Sequence, residues 1–591
     1  MRYVLDVAVE RPLYSLFSYS HYRKLDLGVR VKVPLGRGFS RGWVLKVSRL
    51  EEERDLKSID EVIDDSPPLP STWLTLAQII SQEYCYPLGL TLKLLFPYDY
   101  LPSFGEITLK SVGERFSRLV VGSRLSRLSY YREVIGEFLA AGEKVILLVP
   151  QLEDMEDWAS KLSFDNTFLW YSEIRRSERK RAWNAAKGEG GALFIGTFSL
   201  SLVPMRNLGL VIVDDEGSSY LRRLSLPYIH ARDAILLRRR VESFSVILGG
   251  AILSAESFNL VKEGWDLEEL PGSKPKYRLI DLKRSSKVAF LSQSLFSKIK
   301  ANLKLGGKSV ILLNRKAYAS YLKCEECGYI PKCSNCDIPL SLYREEGKLK
   351  CPYCGYERSF SDTCFNCGGY FFKLGSPGIE SLASLLRRRL GSGVAVWDAE
   401  TELFDESALI IVGTQRVLQP KIMNGVKLAC IALADLSLYK SSYRSEEETL
   451  RMIYSLASFS PEELYVQTYV PEHPVFKIFR EDSWKEFLEA ELDKRKELRY
   501  PPFYSLALVS LKGKRELFLM SKLKELKLAL EGRAIEVLGP IRRVLPDGKI
   551  SLSLLLKGKK GELEKELCDL LENGKIKPSK ELEIIVDPPE V

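Results

Sequence analysis

Apolar residues follow two patterns along this chain, and each marks a different kind of element. In the first hundred residues, RYVLDVAVE (2–10) and VRVKVPL (29–35) alternate apolar and polar positions. That is the period-two signature of strands with one buried face. Gly36, Gly38 and Gly42 punctuate the turns, TWLTLAQIISQEY (72–84) reads as a helix, and Pro97 to Ser103 reads as an exit linker. From about 118 to 270 the strands become short and wholly apolar: KVILLVP (144–150), ALFIGT (192–197), LGLVIVDD (208–215) and FSVILGG (244–250). Such runs, separated by helical stretches, predict a parallel sheet covered by helices on both faces. A second set follows in KSVILLN (308–314), VAVWD (394–398), ALIIVGT (408–414), KLACIALADL (427–436) and LYVQTYV (464–470). Beyond about 490 an α+β unit is expected, with SLALVSLKG (505–513), SLSLLLKG (551–558) and ELEIIVDP (581–588) as strands.

At 591 residues the chain has room for several domains. The boundaries expected are 1–102 (β-rich), 103–270 (first α/β domain), 271–490 (second α/β domain, with an insertion at 321–370) and 491–591 (α+β). Lys plus Arg number 87 against 78 for Asp plus Glu, a net charge of +9. This mild basic excess permits a phosphate-rich partner without demanding one. The first residues lack the cationic head and apolar run of a signal peptide, and no apolar stretch approaches a membrane span. The expectation is a cytoplasmic protein with no membrane partner.

The insertion holds the densest chemistry. Four C-x-x-C pairs fall within 44 residues: Cys324/Cys327, Cys333/Cys336, Cys351/Cys354 and Cys364/Cys367. Glycine follows three of them, at Gly328, Gly355 and Gly368, as in knuckles that turn two thiols toward one ion. Two facing knuckles give the four soft ligands of a closed tetrahedral zinc site, so eight thiols make two structural zincs. Disulfides or a redox C-x-x-C are the alternatives. The large chain without a secretory signal argues against the first, and the absence of a strand-to-helix setting argues against the second. The remaining cysteines, Cys85, Cys430 and Cys568, read as buried small hydrophobes.

Collinear segments then make a resemblance specific. They include VPLGRG (33–38), IGTFSLSLVP (195–204), IVDDEGSSY (212–220), NRKAYA (314–319), the cysteine block, GSPGIESL (375–382), VGTQRVL (412–418), LADLSLYKSSYRSEEE (433–448), QTYVPEHPV (467–475) and RYPPF (499–503). Over nearly its full length the chain resembles the PriA family of primosomal replication-restart helicases. The resemblance implies two tandem RecA-like helicase lobes, a two-zinc module of eight cysteines inserted in the second, a β-rich N-terminal domain that binds a DNA 3′ end, and an α+β C-terminal domain. It also implies nested zinc sites, with Cys324, Cys327, Cys364 and Cys367 on one ion and Cys333, Cys336, Cys351 and Cys354 on the other. Implied partners are forked and single-stranded DNA, primosome and helicase-loading proteins and single-strand-binding protein, with the chain associated with the nucleoid.

Measured against that family, the motor motifs are degraded. Where family members carry a G-x-x-x-x-G-K-[ST] phosphate loop, this chain reads VVGSRLSRLSYY (120–131), keeping Gly122 but neither the second glycine nor the lysine. The family's Asp-Glu-Glu-His becomes Asp214-Asp215-Glu216-Gly217, and its Ser-Ala-Thr-Pro coupling segment becomes Gly250-Ala251-Ile252-Leu253. Phe459 and Glu462 stand where γ-phosphate arginines are expected. An arginine finger alone is worth about 10³–10⁵ in rate. Asp214, Asp215 and Gly122 are therefore read as vestigial, with no catalytic residue assigned and no ATP-driven unwinding expected, while nucleotide and Mg²⁺ binding without hydrolysis stay open. The expectation is a restart protein that binds abandoned forks and helps reload the replicative helicase. The alternatives are an active ATP-dependent 3′-to-5′ helicase and a zinc-dependent interaction module. In the N-terminal domain Phe17, Ser18 and Tyr19 stand at the family's Phe-Asp-Tyr, and Gly36 allows close backbone approach, so these four are the DNA-binding candidates. The family's winged-helix module is expected to be absent between Pro102 and Val121. Basic runs at 175–181, 238–240, 387–389 and 542–543 are further DNA candidates, each weighed against an ordinary solvated face. His21, His230 and His473 are expected to be structural.

Overall fold

The computed structural model describes all residues except 1, 50–54, 108–114, 289–290, 314–321, 325, 328, 335–336, 344–346, 352–354, 370, 374–378, 392, 398–404, 406, 441, 546–547, 577–580 and 589–591. The chain sorts into two compact units. One comprises Met1–Arg118, Tyr131–Leu248 and Arg499–Pro589; the other comprises Leu119–Tyr130, Gly249–Leu498 and Glu590–Val591.

In the first unit the N-terminal strands form an antiparallel five-stranded sheet. Its order is Phe17–His21, Tyr3–Val9, Gly38–Arg49, Arg30–Leu35, Glu61–Val62. The period-two positions Leu5, Val7, Val9, Val31 and Val33 gather into one core cluster, the outcome that alternation predicts. Helix Ser71–Glu83 buries Trp73, Leu76, Ala77 and Ile80 along one stripe. Helix Leu88–Leu95 lies so close to the first strand that a Cβ on Gly89 would stand 2.0 Å from the Val9 carbonyl oxygen.

The first parallel sheet contains all four wholly apolar runs. Its order is Asp266–Glu269, Ser117–Val121, Ser245–Gly250, Leu208–Asp214, Lys144–Leu148, Ala192–Gly196, Thr167–Trp170. Every residue of the four apolar strands is buried. Strands Thr167–Trp170 and Asp266–Glu269 were not anticipated, because they are short and the second is mostly polar. Buried tryptophans join the N-terminal domain to this sheet's covering layer. Trp73 Nε1 donates to the Leu202 carbonyl at 3.2 Å, and Trp183 Nε1 donates to the Pro102 carbonyl at 3.0 Å. The C-terminal region adds an antiparallel sheet of Glu536–Val544, Ile550–Lys559, Tyr504–Gly513 and Leu582–Val586.

The second unit is built on a parallel six-stranded sheet. Its order is Lys276–Asp281, Glu463–Thr468, Val426–Ile431, Lys308–Leu312, Ile410–Gly413, Val394–Trp397. Ile311, Ile410, Val412, Leu428 and Cys430 pack against Leu382 and Leu386 of helix Ile379–Leu390. The cysteine block departs after Lys308–Leu312 and the chain returns to the sheet at Val394–Trp397. A buried charge network crosses this unit. Arg495, 1% exposed, binds Glu491 at 2.7 Å, Glu447 at 2.6 Å and Glu256 at 3.1 Å, and Arg444 and Arg451 pair with Glu256 and Glu447 in turn.

Candidate functional site

Two backbone turns build the metal centre. Cys324 N–H donates to the Tyr329 carbonyl at 2.9 Å, and Gly368 N–H donates to the Cys364 carbonyl at 3.0 Å with Gly368 at φ +75°. The short pairing of Leu322–Cys324 with Phe371–Lys373 sets the two turns face to face. The sulfurs of Cys324, Cys327, Cys364 and Cys367 all lie within 4.8 Å of one another. The Cys324–Cys367 and Cys327–Cys364 separations are 3.5 and 3.7 Å. A tetrahedron with Zn–S near 2.3 Å has edges of about 3.8 Å, so this donor set fits a closed zinc site. Backbone N–H groups of Cys327 and Asn366 point at the Cys324 and Cys364 sulfurs, at 3.5 and 3.3 Å, and would steady thiolate charge there.

Of the second candidate set, Cys333 and Cys351 are described and both are 2% exposed. Cys336 and Cys354, like Gly328, lie outside the described residues. The Cys333 and Cys351 turns have the same form as the first two: Asp337 N–H donates to the Cys333 carbonyl at 3.0 Å and Gly355 N–H to the Cys351 carbonyl at 3.1 Å. Asp337 takes φ +52°, the left-handed position that Gly355 and Gly368 occupy in their knuckles. A search for glycine alone overlooks it, although aspartate also tolerates this region.

The place of the phosphate loop is filled by protein. Gly122 leads into helix Arg124–Ala140, and a Cβ on it would lie 2.9 Å from Leu270 Cβ. Arg127, 3% exposed, donates back to the Gly122 carbonyl at 2.8 Å, and Ser126 Oγ donates to the Pro271 carbonyl at 2.6 Å. The Arg124 guanidinium lies 5.6 Å from the centre of the Phe459 ring. Asp214 is 1% exposed and accepts from Tyr131 Oη at 3.1 Å. Asp215 sits at φ +49°. Buried Glu216 is within 3.4 Å of Arg232.

The N-terminal candidates divide between surface and core. Ser18 is exposed and its hydroxyl donates to Asp6 Oδ1 at 2.7 Å on the neighbouring strand. Phe17 is half-buried against the core cluster. Tyr19 does not face outward: it is 4% exposed and its hydroxyl donates to the Pro34 carbonyl at 3.1 Å. The alternation that exposes Ser18 turns Tyr19 inward. Gly36 takes φ +60° in an open turn, where a Cβ would meet nothing within 4 Å.

Comparison with known proteins gives this geometry a context. The family model for the PriA 3′ DNA-binding domain matches residues 6–97, that for the Cys-rich region of PriA DNA helicase matches 333–358, and that for the primosomal protein N C-terminal domain matches 496–589. Replication restart protein PriA of Bacillus subtilis (strain 168) is 27% identical over 425 residues, spanning 66% of this chain and 52% of that protein. The Rickettsia conorii PriA is 24% identical over 622 residues, spanning 96% of both. The chain is similar to PriA over most of its length. It thus spans about half of the first of these proteins and nearly all of the second. Among solved structures, RecG bound to a three-way DNA junction is similar at 11% identity and a TM-score of 0.37, over 64% of this chain and 44% of that one.

The stretch matched by the Cys-rich-region model, 333–358, lies inside the cysteine block. Several basic candidates prove to be structural. Arg238 is fully buried, pairs with Glu242 four residues on and donates to the Ser201 carbonyl at 3.1 Å. Arg179 stacks 3.9 Å from the Tyr98 ring centre and donates to Tyr100 Oη at 2.7 Å. Arg175, Arg176, Lys180, Arg181 and Arg387 to Arg389 remain exposed. Arg542 is exposed but paired with Glu516 at 2.8 Å. His230 and His473 cap helices, each accepting from a backbone N–H two residues on. No helix among the described residues is long and apolar enough to cross a membrane.

Proposed function

We propose that this chain is a replication restart protein of the PriA kind that binds abandoned or stalled DNA forks and helps assemble the helicase-loading machinery without ATP-driven unwinding. The observation that carries the reading is the filled phosphate-loop position. A phosphate cradle needs open backbone N–H groups and a lysine aimed at the β/γ-phosphates. Here Gly122 meets Leu270, its carbonyl is taken by Arg127, and the Arg124 side chain lies over Phe459. In this reading the lobes are retained as scaffold. The eight cysteines hold two zincs in the nested arrangement and present the insertion to primosome proteins. The edge around Phe17, Ser18, Asp6 and Gly36 meets the DNA strand end, with exposed arginines of 175–181 and 387–389 contacting phosphates. Phosphate contacts make affinity fall steeply with salt.

ATP hydrolysis by the zinc-loaded protein, with and without a forked DNA, tests the proposal alongside fork binding at two salt concentrations. Salt-sensitive fork binding with no DNA-stimulated hydrolysis is expected. Fork-dependent turnover that disappears in Asp214→Asn would restore the motor and overturn the reading.

A further inference from the structure

Two of the cysteines outside the zinc module are not isolated. Cys85 follows helix Ser71–Glu83 in the N-terminal domain, and Cys568 lies in helix Glu562–Glu572 of the C-terminal domain. Both belong to the same unit. Their sulfurs are 3.4 Å apart across 483 residues of sequence. The surroundings hold each in place. Cys85 takes φ +45°, its carbonyl accepts from Tyr14 Oη at 2.9 Å, and its thiol donates to the Glu564 carbonyl at 3.3 Å. The Cys568 thiol is directed at the Gln82 carbonyl at 3.5 Å. Cys85 is 1% exposed, whereas Cys568 is half-exposed. Cys568 is therefore the more accessible residue of the pair, with the Cys85 sulfur in contact with its own.

We propose that Cys85 and Cys568 form an oxidation site at which the chain closes a reversible intramolecular disulfide between its N-terminal and C-terminal domains. The oxidant class is a peroxide. Cys568 thiolate attacks one peroxide oxygen, the O–O bond breaks, and hydroxide leaves, giving the sulfenic acid. The Cys85 sulfur then attacks the Cys568 sulfur, the S–O bond breaks, and the Cys85 proton leaves with the hydroxyl as water. In sum two thiols and one hydrogen peroxide give one disulfide and two waters. This is the sequence expected of an accessible sulfur with a resolving thiol in contact. Bond formation brings the sulfurs from 3.4 Å to about 2.05 Å, a small movement for side chains already touching. The hydrogen bond with Cys568, and burial after it, hold the Cys85 thiol well above its ordinary range. Cys85 is thus the resolving partner and Cys568 the site of first attack. Strands and helices carrying the two cysteines become one covalent body on oxidation, and a dithiol reductant separates them again.

The test uses the full, zinc-loaded chain treated with a stoichiometric amount of hydrogen peroxide, then alkylated, digested without reductant and analysed by mass spectrometry, with zinc content measured in parallel. The expected product is a linked pair of peptides containing Cys85 and Cys568, lighter by two hydrogens than the sum of the two. It should form within one chain, be reversed by dithiothreitol and leave zinc in place. The oxidised protein should unfold at a higher temperature than the reduced one, and Cys568→Ser should abolish both the link and the shift. In Cys85→Ala, sulfenic acid on Cys568 should persist and be trapped by dimedone. The proposal fails if Cys568 proceeds to sulfinic acid in the unmodified chain without linking. It fails equally if Cys568 stays reduced while the zinc cysteines oxidise, or if the link forms only between chains.

Discussion

Burial takes His230 from its ordinary range near 6.5 down to about 3, and nearby Arg232 adds to the effect. Its Nδ1 accepts from the Arg232 backbone N–H at 3.2 Å, so the proton resides on Nε2, which donates to the Ser218 carbonyl at 3.0 Å. The folded chain therefore leaves this ring neutral where the unfolded chain binds a proton. The sign follows from that difference. His230 favours the fold fully above pH 6.5, and this contribution is lost as pH falls from 6.5 toward 3, by about 1.4 kcal/mol per pH unit. Urea titrations at pH 7 and pH 5 check it: His230→Asn, which keeps a capping oxygen, should flatten the decline by roughly 2 kcal/mol. An unchanged decline would assign the pH dependence to other groups. Neighbouring residues on one strand give a second contrast. Tyr19→Ala should cost about 3 kcal/mol or more, because it empties a core position. Ser18→Ala, which removes an exposed hydrogen bond to Asp6, should leave stability nearly unchanged and alter the proposed binding to a fork's strand end. Equal unfolding midpoints for the two variants would contradict the inward placement of Tyr19.

At the scale of elements, a closed four-thiolate site couples metal binding to folding, so zinc uptake by the proposed sites and ordering of their turns are expected to be one equilibrium. Cys324→Ser and Cys367→Ser should each lower the metal content from two zincs per chain to one and loosen the Cys324–Cys367 pair of turns, as read by a colorimetric zinc assay after thiol modification. Retention of two zincs by either variant would break the nested pairing. The knuckles were legible in sequence because cysteine spacing is strictly local. The apolar strands were legible because burial on both faces leaves little freedom of composition at Val211, Ile212 or Val310. Helix Leu88–Leu95 shows a constraint that no periodicity carries: the close approach of Gly89 to Val9 depends on a strand about eighty residues earlier. Gly89→Ala should therefore lower the unfolding midpoint, against the usual gain of alanine over glycine in a helix.

Across the whole molecule, long-range charge pairing is what the sequence concealed. Arg179 and Arg238 looked like parts of basic patches, yet their partners are aromatic rings, carbonyls and Glu242, and only the last stands at a readable i,i+4 spacing. The contact of Cys85 with Cys568 was invisible for the same reason. The largest such feature is the set of carboxylates around Arg495. Glu491 is local to it on helix Trp484–Glu497, but Glu447 belongs to helix Ser445–Ser458 and Glu256 to helix Ala255–Asn259. Here one fully buried guanidinium binds all three, and Arg444 joins Glu256 as a second clamp. Burial raises the Glu491 carboxyl above its usual range even with Arg495 beside it. Removing the arginine leaves several carboxylates poorly compensated in a low dielectric, and Arg495→Leu should cost about 3–5 kcal/mol. Because the pairs are shielded from solvent ions, that loss should be nearly the same at low and high salt. The proposed fork binding through exposed arginines should by contrast keep a steep salt dependence in the same variant. Thermal unfolding and fork titration at two salt concentrations separate the two effects. A neutral or stabilising Arg495→Leu would mean that packing alone holds these helices together and that the network is not what immobilises them.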